Sequence, residues 1–226
     1  MTAGPAAQGT FDLVLESVGL AIVRGDLPAG HSDTIDGLIA RTGASRSIVR
    51  EATRVLVSLG MLTAARRVGL RVTPESAWDT LDVHVVRWRL ASPERDQQLR
   101  ELVELRLAIE PEAARIAADR HTTDHVVALT RAVAELRDAS AARDSAAFLD
   151  ADRRLHTSIL EASGNAMLYR LQSVVSEALR ERTPSESIAW ATAPADVQLH
   201  AALVEAISSA DGLTAAETMR RIARGQ

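Results

Sequence analysis

The stretch Ala44–Val72, ASRSIVREATRVLVSLGMLTAARRVGLRV, decides the fold. Ser45 is a favoured helix cap, and Ile48, Val49, Ala52, Leu56 and Leu59 then recur at helical spacing until Gly60. Past Gly60 the period changes. Two short strands are predicted between Met61 and Thr73, around Arg66-Arg67-Val68-Gly69, with Leu70 and Val72 alternating on the second. Just upstream, Ser32 and Asp33 can cap a short helix carrying Ile35, Leu38 and Ile39, and Thr42-Gly43-Ala44 forms a turn. Two helices joined by a short glycine-containing turn, followed by a hairpin wing, make a winged helix-turn-helix. Arg46 and Arg50 lie one turn apart on the polar face, opposite Ile48 and Val49. Two guanidinium forks thus stand near the start of a recognition helix, where base edges and phosphates are reached.

Working outward, Phe11, Val14, Leu15, Val18 and Ile22 mark a first helix that Gly25 and Pro28 end. Pro74 punctuates the chain after the wing, which predicts a first domain over 1–74 and a second over 75–226. The second reads as helical with little interruption. Trp78, Leu81, Val85 and Trp88 mark one helix, and Leu99 through Ile116 the next, with a kink expected at Pro111. Further helices are expected over 123–142, 144–162, 165–182, 194–209 and 213–224. The Ser/Thr/Pro-rich break at 183–193 reads as a lid. The fold class is therefore mostly α, a winged helix-turn-helix followed by an all-α bundle.

Composition narrows the function. The chain has 226 residues, 46% hydrophobic and 25% charged, which fits a globular protein rather than a disordered one. Without cysteine it can hold neither disulfides nor thiolate metal sites. The opening MTAGPAAQGT has neither a basic start nor an apolar core, and no apolar run is long enough to span a membrane, so a cytoplasmic protein is expected. Net charge is −4, yet Arg41, Arg46, Arg50, Arg54, Arg66, Arg67 and Arg71 crowd one segment against Glu51 alone. A basic island on an acidic body is the footprint of a small DNA-binding module.

The 44–72 stretch closely resembles the signature of the GntR family of bacterial regulators: Gly-x-Ser-Arg, then Val-Arg-Glu-Ala, then Leu-x-x-Leu-Gly-x-Leu and a glycine wing. The resemblance implies that Ser45, Arg46, Ser47 and Arg50 contact double-stranded operator DNA, with Arg66, Arg67 and Gly69 of the wing near the minor groove or backbone. Two positions depart from the pattern: Thr53 replaces the usual leucine, and Asp36 stands where many members carry a basic residue.

In the second domain, Asp152 and His156 are four apart on one helical face with Leu149 and Ile159, and His200 shares a face with Val197, Val204 and Ile207. All three polar groups point inward, and an aspartate with two histidines suits zinc, manganese or nickel. The segments ELRLAIEPEAARIAA (104–118), DADRRLH (150–156), EASGN (161–165) and LHAALVEAI (199–207) resemble the FadR-type subgroup, whose C-terminal domain is called FCD. The resemblance implies a divalent-metal site on Asp152, His156 and His200, plus one histidine on the last helix. Here Met219-Arg220 is followed by Arg221, Ile222 and Ala223, so that ligand is missing. Water or an effector carboxylate could fill a three-ligand site; a lapsed site, or histidines merely hydrogen-bonded to aspartate, is the other reading. Arg106 matches the family arginine facing the ligand cavity, where it would hold a carboxylate, while an intrahelical pair with Glu110 is its ordinary reading. Asn165 reads as a helix cap, and His31, His84, His121 and His125 as surface residues.

Together these point to a homodimeric regulator, a repressor, that senses a small carboxylate metabolite. The dimer is implied by the family alone. Two other readings stand beside it: an effector-independent DNA binder whose sensor has decayed into a scaffold, and a metal-dependent hydrolase, which lacks a general base at motif spacing.

Overall fold

Ser45 sets the register of the recognition helix. The computed structural model of the chain describes residues 5–65, 69–180 and 194–225. In it, the Ser45 hydroxyl accepts from the Ile48 N–H and opens helix α3 (Arg46–Ser58). Val49, Ala52 and Leu56 turn inward at 0–1% exposure, and Thr53 joins them with its hydroxyl donating to the Val49 carbonyl at 2.7 Å. That back-bond is why a threonine is tolerated at a buried position. The preceding helix α2 (Ile35–Thr42) ends on Gly43, whose φ of +67° lets the chain turn sharply into α3. Its cap is Thr34, which accepts from the Gly37 N–H, rather than the expected Ser32 or Asp33. Those two form strand β1 (Ser32–Asp33) instead.

The wing is a three-stranded antiparallel sheet of order β1-β3-β2, with β2 at Leu62–Ala65 and β3 at Gly69–Val72. Leu62 faces Val72 across the ladder, and Asp33 faces Leu70. Leu62, Leu70 and Val72 are buried and Arg71 is exposed, the alternation of a half-buried sheet. Gly69 has φ +83°, and a Cβ there would lie 2.6 Å from the Asp33 carbonyl oxygen. The close approach of β1 therefore requires glycine at this position.

The chain divides into two compact units, Met1–Gln98 and Leu99–Gln226. The boundary expected at 74 falls inside the first unit. The Thr73 N–H donates to Met61 and the Asp79 N–H to Leu59, tying the segment after the wing back to the module. Helix α4 (Val83–Leu90) then docks on α1 (Pro5–Val23). Val85 and Trp88 share one core with Val14, Val18 and Leu56. The Trp88 indole sits against Gly19, where a Cβ would be 2.5 Å away, and its N–H donates to Glu16 at 2.6 Å. The helix expected from Trp78 is shorter: residues 75–77 form a 3₁₀ turn, and Asp82 caps α4 at Val83.

The second unit is all helical in its described residues. Helix α5 (Arg95–Arg120) runs through Pro111 without interruption. It is followed by α6 (Thr123–Ala142), α7 (Ser145–Ala162), α8 (Ala166–Arg170), α9 (Gln172–Arg180), α10 (Pro194–Ser208) and α11 (Gly212–Arg224). The single helix expected over 165–182 is two, parted at Leu171. Their core is assembled from alanine and branched residues, among them Ala113, Ala117, Leu136, Leu155, Leu203 and Ile207 at 0% exposure. The expected lid at 183–193 lies outside the described residues. None of the helices described is long and apolar enough to cross a membrane.

Candidate functional site

On the first unit, Ser45, Arg46, Ser47 and Arg50 are exposed at the start of α3. The Ser45 and Ser47 hydroxyls lie 3.1 Å apart. Arg54 pairs with Glu51 on the same helix, Arg41 with Asp33 at 3.0 Å, and Arg46 with Asp36 on α2. Arg50 forms no ion pair among the described residues and borders a groove of about 390 Å³ between α3 and the wing, lined also by Thr34, Arg54, Ala65 and Gly69. Arg66 and Arg67 lie outside the described residues. The exposed arginines of this surface are thus carried by α3, whose position is fixed by the core beneath it.

On the second unit, α7 and α10 bring Asp152, His156 and His200 together at 0–1% exposure, with one ligand atom of each within 4.8 Å of the others. Helical periodicity puts them inside: Asp152 and His156 continue the buried row of Phe148, Ala151, Leu155 and Ile159, and His200 that of Leu203, Val204 and Ile207. The Nε2 atoms of His156 and His200 lie 3.5 and 3.0 Å from Asp152 Oδ1. Neither Nε2 makes a well-directed hydrogen bond among the described residues. Both rings are anchored from behind. His156 Nδ1 meets Glu110 Oε1 at 2.8 Å, and His200 Nδ1 meets the Asp196 carbonyl at 2.8 Å. A carbonyl can only accept, so His200 Nδ1 is the donor there, which leaves Nε2 turned toward Asp152 Oδ1.

Rings held at Nδ1, with Nε2 turned to a carboxylate, are the arrangement in which histidines bind metal, and a carboxylate or carbonyl behind each ring fixes its tautomer. The separations of 3.0 and 3.5 Å suit ligands around one ion with bonds of about 2.0–2.2 Å. These residues fit a divalent metal. The surrounding carboxylates dominate the electrostatics. Burial alone would depress the pKa of His156, yet Glu110 and Asp152 outweigh it and push it up to about 9. Burial likewise opposes the ionised form of Glu110, but Arg106 and His156 hold its carboxyl below the ordinary range. The pocket is one that stabilises positive charge.

Arg106 does not stand among the three ligands. Its Nε donates to Glu110 Oε2 at 3.0 Å, so the intrahelical pair is present and Glu110 relays between Arg106 and His156. One of its N–H groups, at Nη2, is buried without a hydrogen-bond partner among the described residues. Glu110 is the participant that sequence reading missed. Its four-residue spacing from Arg106 signalled an ion pair, while its contact with His156 spans two helices and leaves no trace in spacing. Helix α11 turns Met219, Ile222 and Ala223 into the core, and none of its residues joins the Asp152–His156–His200 cluster among the described residues. Asn165 caps α8 through the Met167 and Leu168 N–H groups. The other histidines are less solvated than expected: His121 bonds the Ala117 and Ala118 carbonyls, His125 completes the cap of α6, and His84 lies 3.5 Å from Glu16. A separate groove of about 780 Å³ on α6, α7 and α9, lined by Val127, Arg131, Arg153 and Thr157 among others, shares no residue with the cluster.

The FCD domain family matches residues 101–225. The chain is 30% identical over 209 residues to the galactonate operon transcriptional repressor of Escherichia coli K12, covering 89% of this chain and 88% of that protein. It is 29% identical over 223 residues to an HTH-type transcriptional regulator of the same organism, covering 97% and 95%. Two solved structures share the fold. A GntR protein of Streptococcus agalactiae has a TM-score of 0.54 at 21% identity, covering 95% of this chain and 97% of that one. The Lar regulator of the Listeria monocytogenes agr system reaches 0.60 at 16% identity, covering 100% and 96%. A helix-turn-helix with a wing, joined to an FCD domain, is a DNA-binding regulator and not an enzyme, and the chain belongs to the GntR family of transcriptional regulators, FadR-type subgroup.

Proposed function

We propose that this regulator is a homodimeric, cytoplasmic repressor whose DNA binding is controlled by a small carboxylate held at a divalent metal on Asp152, His156 and His200. The observation that carries the reading is the pair of anchored imidazoles whose Nε2 atoms converge on the Asp152 carboxylate. Three protein ligands leave a coordination position for an exogenous oxygen. A bound zinc, manganese or nickel ion would supply Lewis acidity and a positive charge for an effector carboxylate. Arg106, with a buried N–H to spare, is the second anchor for such an anion. The galactonate operon repressor, similar over most of its length, makes sugar acids the first class to test.

Helix α5 links site and operator. It carries Arg106 and Glu110, and its first residues, 95–98, belong to the DNA-binding unit. Effector binding that favours one setting of α5 shifts the spacing of the two recognition helices in the dimer, and so the operator affinity.

The test is anisotropy of a labelled promoter duplex with wild type and Asp152→Ala, titrated with a panel of sugar acids and other hydroxycarboxylates. The reading expects at least one of them to shift wild-type affinity about 5–150-fold, the usual range of allosteric coupling. Asp152→Ala should bind DNA normally and not respond. Equal responses of the two proteins would refute the site. A wild type indifferent to every effector would favour the scaffold reading, which the apolar Ile222 on α11 supports.

A further inference from the structure

Asp36 and Arg46 form an ion pair that crosses the helix-turn-helix, from the first turn of α2 to the first residue of α3. Both are exposed, with 72% and 61% of their side-chain surfaces accessible. A lone exposed pair contributes little to stability. Its place is the more telling fact. Arg46 opens the recognition helix beside Ser45 and Ser47, and a carboxylate on a surface that meets phosphates costs affinity through repulsion. Arg50, one turn on, has no such companion among the described residues. The two arginines of one surface are therefore set up differently, one tethered and one free.

We propose that Asp36 is a specificity-determining residue: it holds the Arg46 guanidinium for a base edge and keeps it off the phosphate backbone. This rests on the assignment of α3 as the DNA-reading helix. The pair engages a single N–H of Arg46 Nη2. Nη1 and Nε take no part in the pair, so the guanidinium keeps N–H donors for a fork on O6 and N7 of guanine in the major groove. A free arginine loses rotamer entropy when it reads a base and has phosphate oxygens as competing partners; a tethered one has fewer settings to lose, and Asp36 repels those competitors. Arg50 then supplies charge and positioning, while Arg46 supplies discrimination.

The experiment is selection from a randomised duplex library by the full-length protein, comparing wild type with Arg46→Ala, Asp36→Ala and Asp36→Glu. Wild type is expected to enrich a motif, and Arg46→Ala to lose preference at one guanine of each half-site. Asp36→Ala should lose preference at the same guanine by about tenfold, within what one bidentate arginine contact supplies. Its affinity for a scrambled duplex should rise several-fold, with the slope of log K against log salt steeper by roughly one ion as Arg46 moves to phosphate. Asp36→Glu, which keeps the carboxylate, should retain the preference. Undiminished selection of that guanine by Asp36→Ala would overturn the proposal and leave α3 as the reading helix. Loss at a different base pair would also overturn it. Failure of wild type to enrich any motif would overturn the assignment of the reading helix and this proposal together.

Discussion

Glu110 shows how much one buried carboxylate can set. One oxygen meets the His156 Nδ1 at 2.8 Å and the other the Arg106 Nε at 3.0 Å. Glu110→Gln keeps the shape but removes the charge that orders both neighbours. The three candidate ligands remain, so metal binding at the proposed site should weaken rather than vanish, by about 10–100-fold, as when other outer partners of metal-bound histidines are lost. Competition with a chelator of known affinity measures this, and an unchanged constant would remove Glu110 from the site. On the operator side, Arg50→Ala tests the free arginine. Binding should fall on specific and scrambled duplexes alike, with a salt slope shallower by about one ion. A loss confined to one base pair would instead make Arg50 a base reader. That Asp152, His156 and His200 face inward and Arg50 outward was legible from helical periodicity, because spacing tells which face a side chain occupies. Glu110 and the Asp36–Arg46 pair were not, since each joins residues on different helices.

Helix α4 makes the corresponding point for elements. Its extent was overestimated from Trp78, because two tryptophans ten residues apart fit a helical pattern that the extended backbone at Trp78 and at the cap Asp82 breaks. The short strand β1 was invisible, since two residues, Ser32 and Asp33, carry no alternation to read. By contrast α3, the wing strands and α7 had strong local periods, and the structure follows them closely. Where α4 meets α1, Gly19 is the contact point. A helix-interior glycine replaced by alanine ordinarily gains about 0.5–1 kcal/mol. Here the added methyl would lie 2.5 Å from the fully buried Trp88 ring, so Gly19→Ala should destabilise by about 1–3 kcal/mol, as overpacking does. Thermal denaturation decides the sign. A raised midpoint would mean that Trp88 moves aside freely and that α4 is loosely held.

For the whole molecule, the sequence pattern conveyed the order of a winged helix-turn-helix and a helical sensor, and the family match over 101–225 agrees with it. The boundary was read at Pro74 because it is a strong local break, while the division into compact units at Gln98 depends on where α4 packs, a tertiary fact. The account stands on a sensor that binds metal with three protein ligands although α11 supplies no histidine. The most direct test is metal content by mass spectrometry on untagged protein purified without chelator, beside a His156→Ala, His200→Ala double variant. Near-stoichiometric zinc, manganese or nickel in the wild type, absent from the double variant, is the predicted result. Metal-free wild type, even after incubation with each of the three ions, or equal metal in both proteins, would contradict it.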